Sequence, residues 1–261
     1  MEATSEARSG ARIAAWGVII GLATLAIYWF AASGEDAWIS WNVLTAIVLT
    51  AIGVAAGAAI GSGTALARWT TWESVLAAVL AGVIGVLFWF WGLTVWKLLD
   101  VVKSGIPGYG RAIRDLFYGL WFLAAILVPY IVRRPGAAVA AEVVAAIISA
   151  LLGSEWGLTV LISGLVQGGL AEVVFALGGY RRYDLLTLIL ASAAAALGSW
   201  VVDYAFWYGT LEPQILILML VARVISAALL SGVLGKGLAG ALAATGVLDN
   251  TALGKQRMLE Q

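Results

Sequence analysis

The chain has 261 residues, of which 62% are hydrophobic and 11% are charged, and its formal net charge is zero. A soluble domain carries about 25% charged residues, so this composition predicts a membrane protein, and the balanced charge gives no sign of a nucleic-acid partner. Because the sequence contains no Cys and no His, it excludes thiol nucleophiles, zinc sites built from these ligands and His general bases.

Eight segments are apolar enough to cross a bilayer, whose hydrocarbon core of about 30 Å requires about 20 helical residues. In chain order they are residues 13–32, 43–67, 74–96, 116–132, 136–153, 156–179, 185–208 and 214–235. The connections between them are short, except for residues 97–115. This pattern predicts an all-α polytopic membrane protein.

The distribution of basic residues predicts the orientation of these spans, because cytoplasmic loops are enriched in Lys and Arg. With the N-terminus in the cytoplasm, ten basic residues fall inside and four fall outside, and those four all lie in the loop 97–115. The count favours eight spans with both termini cytoplasmic. The outer loops hold six acidic residues, which is a mild bias toward a cationic solute. The loop 97–115 is interpreted as a lid over a pocket or as an interfacial amphipathic segment.

Four charged residues fall inside predicted spans, where a charge costs about 2.5–3.5 kcal/mol on insertion scales. Glu142 and Glu172 lie at one level, each roughly 9 Å from the cytoplasmic side, and Arg223 lies near mid-membrane. We expect a structural ion pair of Arg223 with Glu142 or Glu172. The carboxylate left over is then protonated, or satisfied by the backbone, by water or by a ligand.

The fourth residue, Asp203, lies near the outer surface beside Tyr204 and three further aromatic residues. A carboxylate among aromatic rings can hold a cationic or aromatic heterocycle, whereas the alternative is an interfacial aromatic belt with a solvated Asp. More aromatic residues gather at the outer ends of other spans: Phe88, Trp89, Phe90, Trp91, Trp96, Phe117, Tyr118, Trp121, Phe122 and Trp156.

Small residues mark two places where helices can approach closely. Gln167 lies between Gly164 and Gly168, and because this GxxxG pair favours close packing, Gln167 faces a neighbouring helix or a cavity. A small-residue ridge on the span 74–96 comprises Ala77, Ala78, Ala81 and Gly82. If this ridge is exposed, it is a docking face for another membrane protein, and if it is buried, it serves only tight packing.

Several segments together carry a family pattern. They are Tyr118–Phe122 (YGLWF), residues 130–138 (YIVRRPGAA) continuing to Glu142, residues 164–168 (GLVQG) with Glu172, then Asp203, and finally residues 234–236, 245–248 and 252–255. Through these segments, residues from about 72 to 257 resemble the YkoE family of S components of energy-coupling factor (ECF) transporters.

The resemblance implies a six-helix S-component core over residues 71–235. Residues 1–70 then form an appended N-terminal two-helix transmembrane hairpin, and residues 236–261 form a cytoplasmic C-terminal tail. Such a subunit captures thiamine or its hydroxymethylpyrimidine (HMP) moiety at the outer face of the bacterial cell membrane. A transmembrane coupling protein and two ATPase subunits drive the uptake, so the chain itself is expected to be no enzyme and to need no cofactor or metal.

The resemblance also implies roles for the residues singled out above. The outer pocket is expected to use Asp203, Tyr118 and Trp121, with Trp91, Trp156 and Tyr204 as further contacts and Gln167 bonded to the aminopyrimidine. Glu142 and Glu172 match the family motif and are expected to act more as internal pairing groups than as ligand contacts. The ridge at Ala77, Ala78, Ala81 and Gly82 resembles the face by which S components dock on the coupling protein.

Three alternatives remain open from the sequence. A stand-alone transporter would need an energy source, such as proton coupling through Glu142 and Glu172. A membrane-embedded enzyme is disfavoured, since there is no His, no Cys and no G-x-S-x-G motif. A purely structural or assembly subunit would bind no small molecule.

Overall fold

The computed structural model describes residues 69–106, 109–157 and 159–259. The predicted N-terminal hairpin, with its spans 13–32 and 43–67, lies outside the described residues. The described residues form a helical bundle with the following helices: α1 Thr71–Trp91, α2 Lys97–Gly105, α3 Gly110–Asp115, α4 Leu123–Val132, α5 Ala137–Leu151, α6 Thr159–Leu177, α7 Leu185–Asp203, α8 Pro213–Ser226, α9 Leu234–Ala244 and α10 Ala252–Leu259.

Irregular helical turns join or extend several of these helices. The π turn Gly92–Trp96 joins α1 to α2, a second π turn, Tyr204–Tyr208, extends α7, and a third, Ala227–Val233, joins α8 to α9. A 3-10 turn, Tyr118–Phe122, leads into α4. A π turn is wider than an α turn and therefore rotates the residues that follow it, and such turns are frequent at functional sites.

Six apolar helical stretches account for the six spans predicted between residues 74 and 235. Four are long enough to cross a bilayer: Thr71–Gly105, Thr159–Leu177, Leu185–Tyr208 and Pro213–Ala244. Two are shorter: Tyr118–Val132 and Ala137–Leu151. Every residue of α4 is buried, so this short helix forms the centre of the bundle. The total of eight spans and the orientation of the termini stay predictions.

The start of α1 is fixed by its own sequence and by the turn between α4 and α5. The Thr70 hydroxyl accepts a hydrogen bond from the amide of Glu73 at 3.2 Å, and the Glu73 carboxylate accepts one from the amide of Thr70 at 2.9 Å. This capping box satisfies amides that have no partner within the helix. Glu73 also pairs with Arg134 at 2.9 Å, which ties α1 to the start of α5.

Close helix contacts depend on the small residues that the sequence singled out. A Cβ atom at Gly168 would lie 2.9 Å from the Cα of Val139, and one at Gly164 would lie 2.9 Å from the Cβ of Ala146. These distances are too short for any residue but glycine, so the GxxxG pair of α6 packs directly on α5. Gln167 is thereby held between the two glycines and is only 4% exposed.

The predicted docking ridge on α1 is divided between two faces. Ala77 and Ala81 are buried in the core, so their prediction as docking residues is wrong. They share a face with Ile84 against the bundle, whereas Ala78 and Gly82 each lie one residue further round the helix. Ala78 is exposed, and a Cβ atom at Gly82 would have no neighbour within 4 Å. The docking role stays a prediction for these two residues alone.

The last helices extend the bundle beyond the predicted core. The boundary predicted at residue 235 falls inside the continuous helical stretch Pro213–Ala244. After it, the chain turns back, and α10 places Leu253 against the core together with Leu248 from the preceding turn. The start of α10 is therefore packed against α4, whereas Met258 and Leu259 at its end are exposed.

Candidate functional site

A cavity of about 310 Å³ opens among α1, α5, α6 and α7 at the end of the bundle that holds the two π turns Gly92–Trp96 and Tyr204–Tyr208. Its volume lies within the range of about 300–1,000 Å³ that is typical of small-molecule sites. The helical stretch Thr71–Gly105 has 35 residues and is about 50 Å long, which exceeds the membrane core by some 20 Å. Its last part, α2, therefore extends beyond the spanning portion and reaches the mouth of the cavity.

Three tryptophans form one wall of the cavity. The ring centres of Trp121 and Trp156 are 5.3 Å apart, and Trp96 lies 6.1 Å from the first and 6.3 Å from the second. All three pairs meet edge to face, within the distances at which aromatic pairs stabilise one another. Phe88 and Tyr118 extend this wall. The result is a preformed aromatic surface against which a flat ring can stack.

Glu142 and Gln167 provide the polar floor. The Glu142 carboxylate is 1% exposed and accepts a hydrogen bond from the amide of Ala125 at 2.8 Å. Ala125 is the third residue of α4, so its amide has no partner within the helix, and the helix dipole favours a negative group there. The same carboxylate lines the cavity beside Gln167. Glu142 is therefore bonded to the backbone of α4 and also lines the cavity.

Hydroxyl groups complete the polar part of the lining. Thr159 and Ser163 come from α6, and Ser149 comes from the last turns of α5. The Ser149 hydroxyl is buried and has no hydrogen-bond partner among the described residues. A buried hydroxyl without a partner is costly, so a ligand or a water molecule that bonds to Ser149 gains affinity.

A buried ion-pair network lies beside the cavity. Arg223 bonds to Asp115 at 3.0 Å and to Asp203 at 2.8 Å, and its guanidinium carbon lies 3.6 Å from the ring centre of Tyr118. Ser199 accepts a further hydrogen bond from Arg223 at 3.0 Å. The predicted pairing of Arg223 with Glu142 or Glu172 is therefore wrong.

The physical reason for this error is the path of the loop 97–115. The sequence placed Asp115 in an outer loop, but α3 folds back and buries Asp115 completely, next to Arg223. Asp203 lines the cavity, yet it is ion-paired with Arg223, which it shares with Asp115. Glu142, in contrast, forms no ion pair with any of the described residues, so it is the carboxylate best suited to a ligand.

Three basic residues line the mouth of the cavity: Lys103, Arg111 and Arg114. Asp100 pairs with Lys103 at 2.5 Å and with Arg114 at 2.7 Å. The Arg114 guanidinium carbon also lies 4.5 Å from the ring centre of Trp96, which joins the mouth to the aromatic wall. The segment predicted as a lid or an amphipathic helix thus supplies part of the cavity.

Comparison with known proteins identifies the family. Residues 72–198 match the family model described as "ABC-type cobalt transport system, permease component". The chain is 36% identical, over 189 residues, to a protein of Bacillus subtilis (strain 168) named "Putative HMP/thiamine permease protein YkoE", and the match covers 72% of this chain and 92% of that protein. The chain belongs to the YkoE family.

The fold agrees with this membership in the YkoE family. A structure titled "Crystal structure of an S-component of ECF transporter" superposes with a TM-score of 0.69 at 34% identity, covering 74% of this chain and 95% of that one. The predicted family is therefore confirmed. The protein is a multi-pass cell-membrane component of an ECF transport system.

Six of the predicted ligand residues line the cavity of this YkoE-family protein: Tyr118, Trp121, Glu142, Trp156, Gln167 and Asp203. Three others do not line it. Trp91 packs half-buried against the core, and Tyr204 stacks on Trp200 with ring centres 5.4 Å apart. Glu172 accepts hydrogen bonds from the amides of Gly136 at 2.6 Å and Ala138 at 2.8 Å, so it caps the start of α5.

The π turns explain which aromatic residues the sequence could not assign. At the end of the turn Gly92–Trp96, Trp96 lines the cavity, and within the turn Tyr204–Tyr208, Trp207 and Tyr208 line it. Each was visible in the sequence as a member of an aromatic group, but an unbroken α-helical period gives the wrong direction for residues in and after a π turn. One sequence feature did point to the basic residues at the mouth. The four basic residues predicted outside the membrane all lie in the single loop 97–115.

Proposed function

We propose that this chain is the substrate-binding S component of an ECF-type importer and that it captures thiamine or its HMP moiety at the outer face of the membrane. Uptake is then driven by ATP hydrolysis in partner subunits, through a transmembrane coupling protein. The observation that carries this proposal is the tryptophan-walled cavity with Glu142 and Gln167 in its floor.

The chemistry of the cavity matches an aminopyrimidine. Such a ring has a flat π face, an exocyclic amine that donates, and ring nitrogens that accept. The wall of Trp96, Trp121 and Trp156 suits the ring face, since aromatic stacking adds to the burial of apolar area. The Glu142 carboxylate can accept from the amine, and the Gln167 amide can both donate and accept. The name of the Bacillus subtilis relative points to the same ligand class.

A metal ion is the ligand class that the cobalt description of the family model would suggest. Within the described ranges, no group of three or more acidic side chains comes close enough to hold a metal ion. Asp203 is ion-paired with Arg223, and Glu142 forms no ion pair with any of the described residues and accepts a hydrogen bond from the Ala125 amide. This donor set favours an organic heterocycle over a bare cation.

The proposal is tested by titrating the purified chain in detergent with thiamine and with HMP, and with riboflavin as an unrelated flat ligand. Thirteen tryptophans provide the fluorescence signal, and isothermal titration calorimetry gives an affinity that does not depend on them. We expect saturable binding of at least one of the two pyrimidines. Well-folded protein that binds neither would contradict the proposal and favour an assembly subunit.

Variants then connect the binding to the cavity. Trp156→Ala is expected to weaken pyrimidine binding about tenfold or more, as is usual for a central aromatic contact. Trp91→Ala is the matched control, because Trp91 packs against the core without lining the cavity. Equal effects of the two substitutions would mean that the ligand binds elsewhere.

A further inference from the structure

Two buried serines at the connection between α8 and α9 hold the backbone of Gly119. The Ser226 hydroxyl accepts a hydrogen bond from the Gly119 amide at 2.8 Å, and the Ser231 hydroxyl donates one to the Gly119 carbonyl oxygen. The two serines are 1% and 0% exposed. Both backbone groups of Gly119 are therefore bonded to side chains from one distant part of the chain, more than a hundred residues away.

The third π turn, Ala227–Val233, explains how two serines five residues apart reach the same glycine. In an α-helix of 3.6 residues per turn, Ser226 and Ser231 would point in directions about 140° apart. A π turn is closed by hydrogen bonds between residues five apart, so it brings such residues to one side of the helix. Ser226 ends α8 and Ser231 lies within the turn. The π turn thus pairs the two hydroxyls, although none of its residues lines the cavity.

The contact at Gly119 leaves no room for a side chain. A Cβ atom there would lie 2.2 Å from the carbonyl oxygen of Ser226 and 2.7 Å from the amide nitrogen of Ala227. Both of these neighbours are backbone atoms, which cannot move aside as the end of a flexible side chain can. The 3-10 turn that contains Gly119 is therefore seated directly on the end of α8, at a separation that only glycine allows.

Gly119 lies between two residues that line the cavity. Tyr118 precedes it directly, and Trp121 follows two residues later in the same 3-10 turn. The guanidinium carbon of Arg223, three residues before Ser226 on α8, also lies 3.6 Å from the ring centre of Tyr118. The end of α8 therefore contacts both the ring of Tyr118 and the backbone that leads to Trp121.

We propose that Ser226 and Ser231 are positioning residues of the ligand site, which hold Tyr118 and Trp121 in the arrangement that binds the ligand. This inference rests on the proposed function, since it concerns the same cavity. Neither serine lines the cavity, so their effect on the ligand is indirect. Without these hydrogen bonds the turn can take other arrangements, and the apparent affinity falls in proportion to the fraction of molecules in which the wall is formed.

The single variants Ser226→Ala and Ser231→Ala of the full chain in detergent test this role. Each is expected to weaken the binding of thiamine or HMP about tenfold, which corresponds to a wall that is formed in about a tenth of the molecules. Ser192→Ala is the matched control, because Ser192 is also fully buried but donates to the Leu188 carbonyl of its own helix, α7, and does not line the cavity. Calorimetry gives the affinity per folded molecule, so a loss of stability alone does not count as an effect.

Near-ultraviolet circular dichroism provides a readout that a purely structural role would not change. Trp121 meets Trp96 and Trp156 edge to face, and the difference between the unsubstituted chain and Trp121→Ala identifies the signal of this wall. We expect both serine variants to lose part of that signal without ligand and to regain it at saturating ligand, because the ligand selects the molecules in which the wall is formed. Ser192→Ala should keep the signal under both conditions.

The outcomes separate this inference from the proposed function. Serine variants that bind as tightly as the unsubstituted chain would overturn the positioning role alone, whatever their stability. An equal loss of affinity in Ser192→Ala and Ser226→Ala would do the same. If the unsubstituted chain binds neither pyrimidine, the proposed function fails, and the signal without ligand still decides whether the two serines position the wall.

Discussion

The two ends of the bundle contain the same kinds of side chain in different surroundings. At the closed end, near the turn between α4 and α5, Glu73 is bonded to Arg134 and Glu172 to the amides of Gly136 and Ala138. At the floor of the cavity, Glu142 accepts one backbone hydrogen bond and forms no ion pair with any of the described residues. A buried carboxylate whose oxygens are saturated by the fold is structural, and one with remaining capacity is available to a ligand.

The largest effect is expected from breaking the network that supports the cavity end. Arg223→Met removes the cation that Asp115 and Asp203 share, and it leaves both buried acids without an ion pair to that side chain. Removal of one side of a buried ion pair costs about 3–5 kcal/mol, so we expect a large drop in the thermal unfolding temperature in detergent. Arg182→Gln, at an exposed arginine, is the control and should leave the unfolding temperature unchanged.

The next effect separates the two deep carboxylates. Glu142→Gln is expected to weaken pyrimidine binding by a factor of about ten to a hundred, since a charged hydrogen bond contributes about 1.5–3 kcal/mol. Glu172→Gln should instead lower stability while the folded fraction binds with unchanged affinity, because Glu172 does not line the cavity. Calorimetric titration and thermal unfolding of both variants measure the two quantities. If Glu172→Gln lost affinity as strongly as Glu142→Gln, the contrast between the two ends would fail.

A smaller effect tests whether the first π turn, Gly92–Trp96, decides which tryptophan faces the cavity. Trp96→Ala is expected to weaken binding about tenfold, whereas Trp91→Ala should leave it nearly unchanged, because only Trp96 lines the cavity. Fluorescence titration of the two variants checks this difference. The reverse order of effects would mean that the helix continues through residues 92–96 with an unbroken α-helical period.

The smallest effect concerns the exposed part of α1. Gly82→Leu is expected to reduce co-purification of the ECF coupling protein without changing ligand affinity, because a side chain there projects from the bundle surface. Gly237→Leu is a matched control at another open glycine. A complex that tolerates both substitutions equally would remove Gly82 from the docking face.

A further prediction concerns the energy source for uptake. Uptake by the chain alone would mean that ATP hydrolysis in partner subunits is not required. In liposomes that hold only this protein, we expect ligand binding without accumulation under a proton gradient, because both Glu172 oxygens are held by backbone amides, a structural role that does not suit a proton carrier. Accumulation of ligand under those conditions would support a proton-coupled transporter that acts by itself.

The positions of the helices and much of the cavity could be predicted from the sequence. Apolar segments about 20 residues long identify spans, and the aromatic groups near Tyr118, Trp121 and Trp156 do lie at the site. The pairing of Arg223 could not be predicted, because it depends on α3 folding back into the bundle. The choice of Trp96 over Trp91 depends on a π turn, which has no local sequence signature.

The position of the ligand is the most direct test of the central claim. An experimental structure of the purified chain, determined with saturating HMP or thiamine, should show the pyrimidine ring against Trp121 and Trp156 with a polar atom within hydrogen-bond distance of Glu142. A bound pyrimidine elsewhere on the protein, with this cavity occupied only by water, would contradict the account.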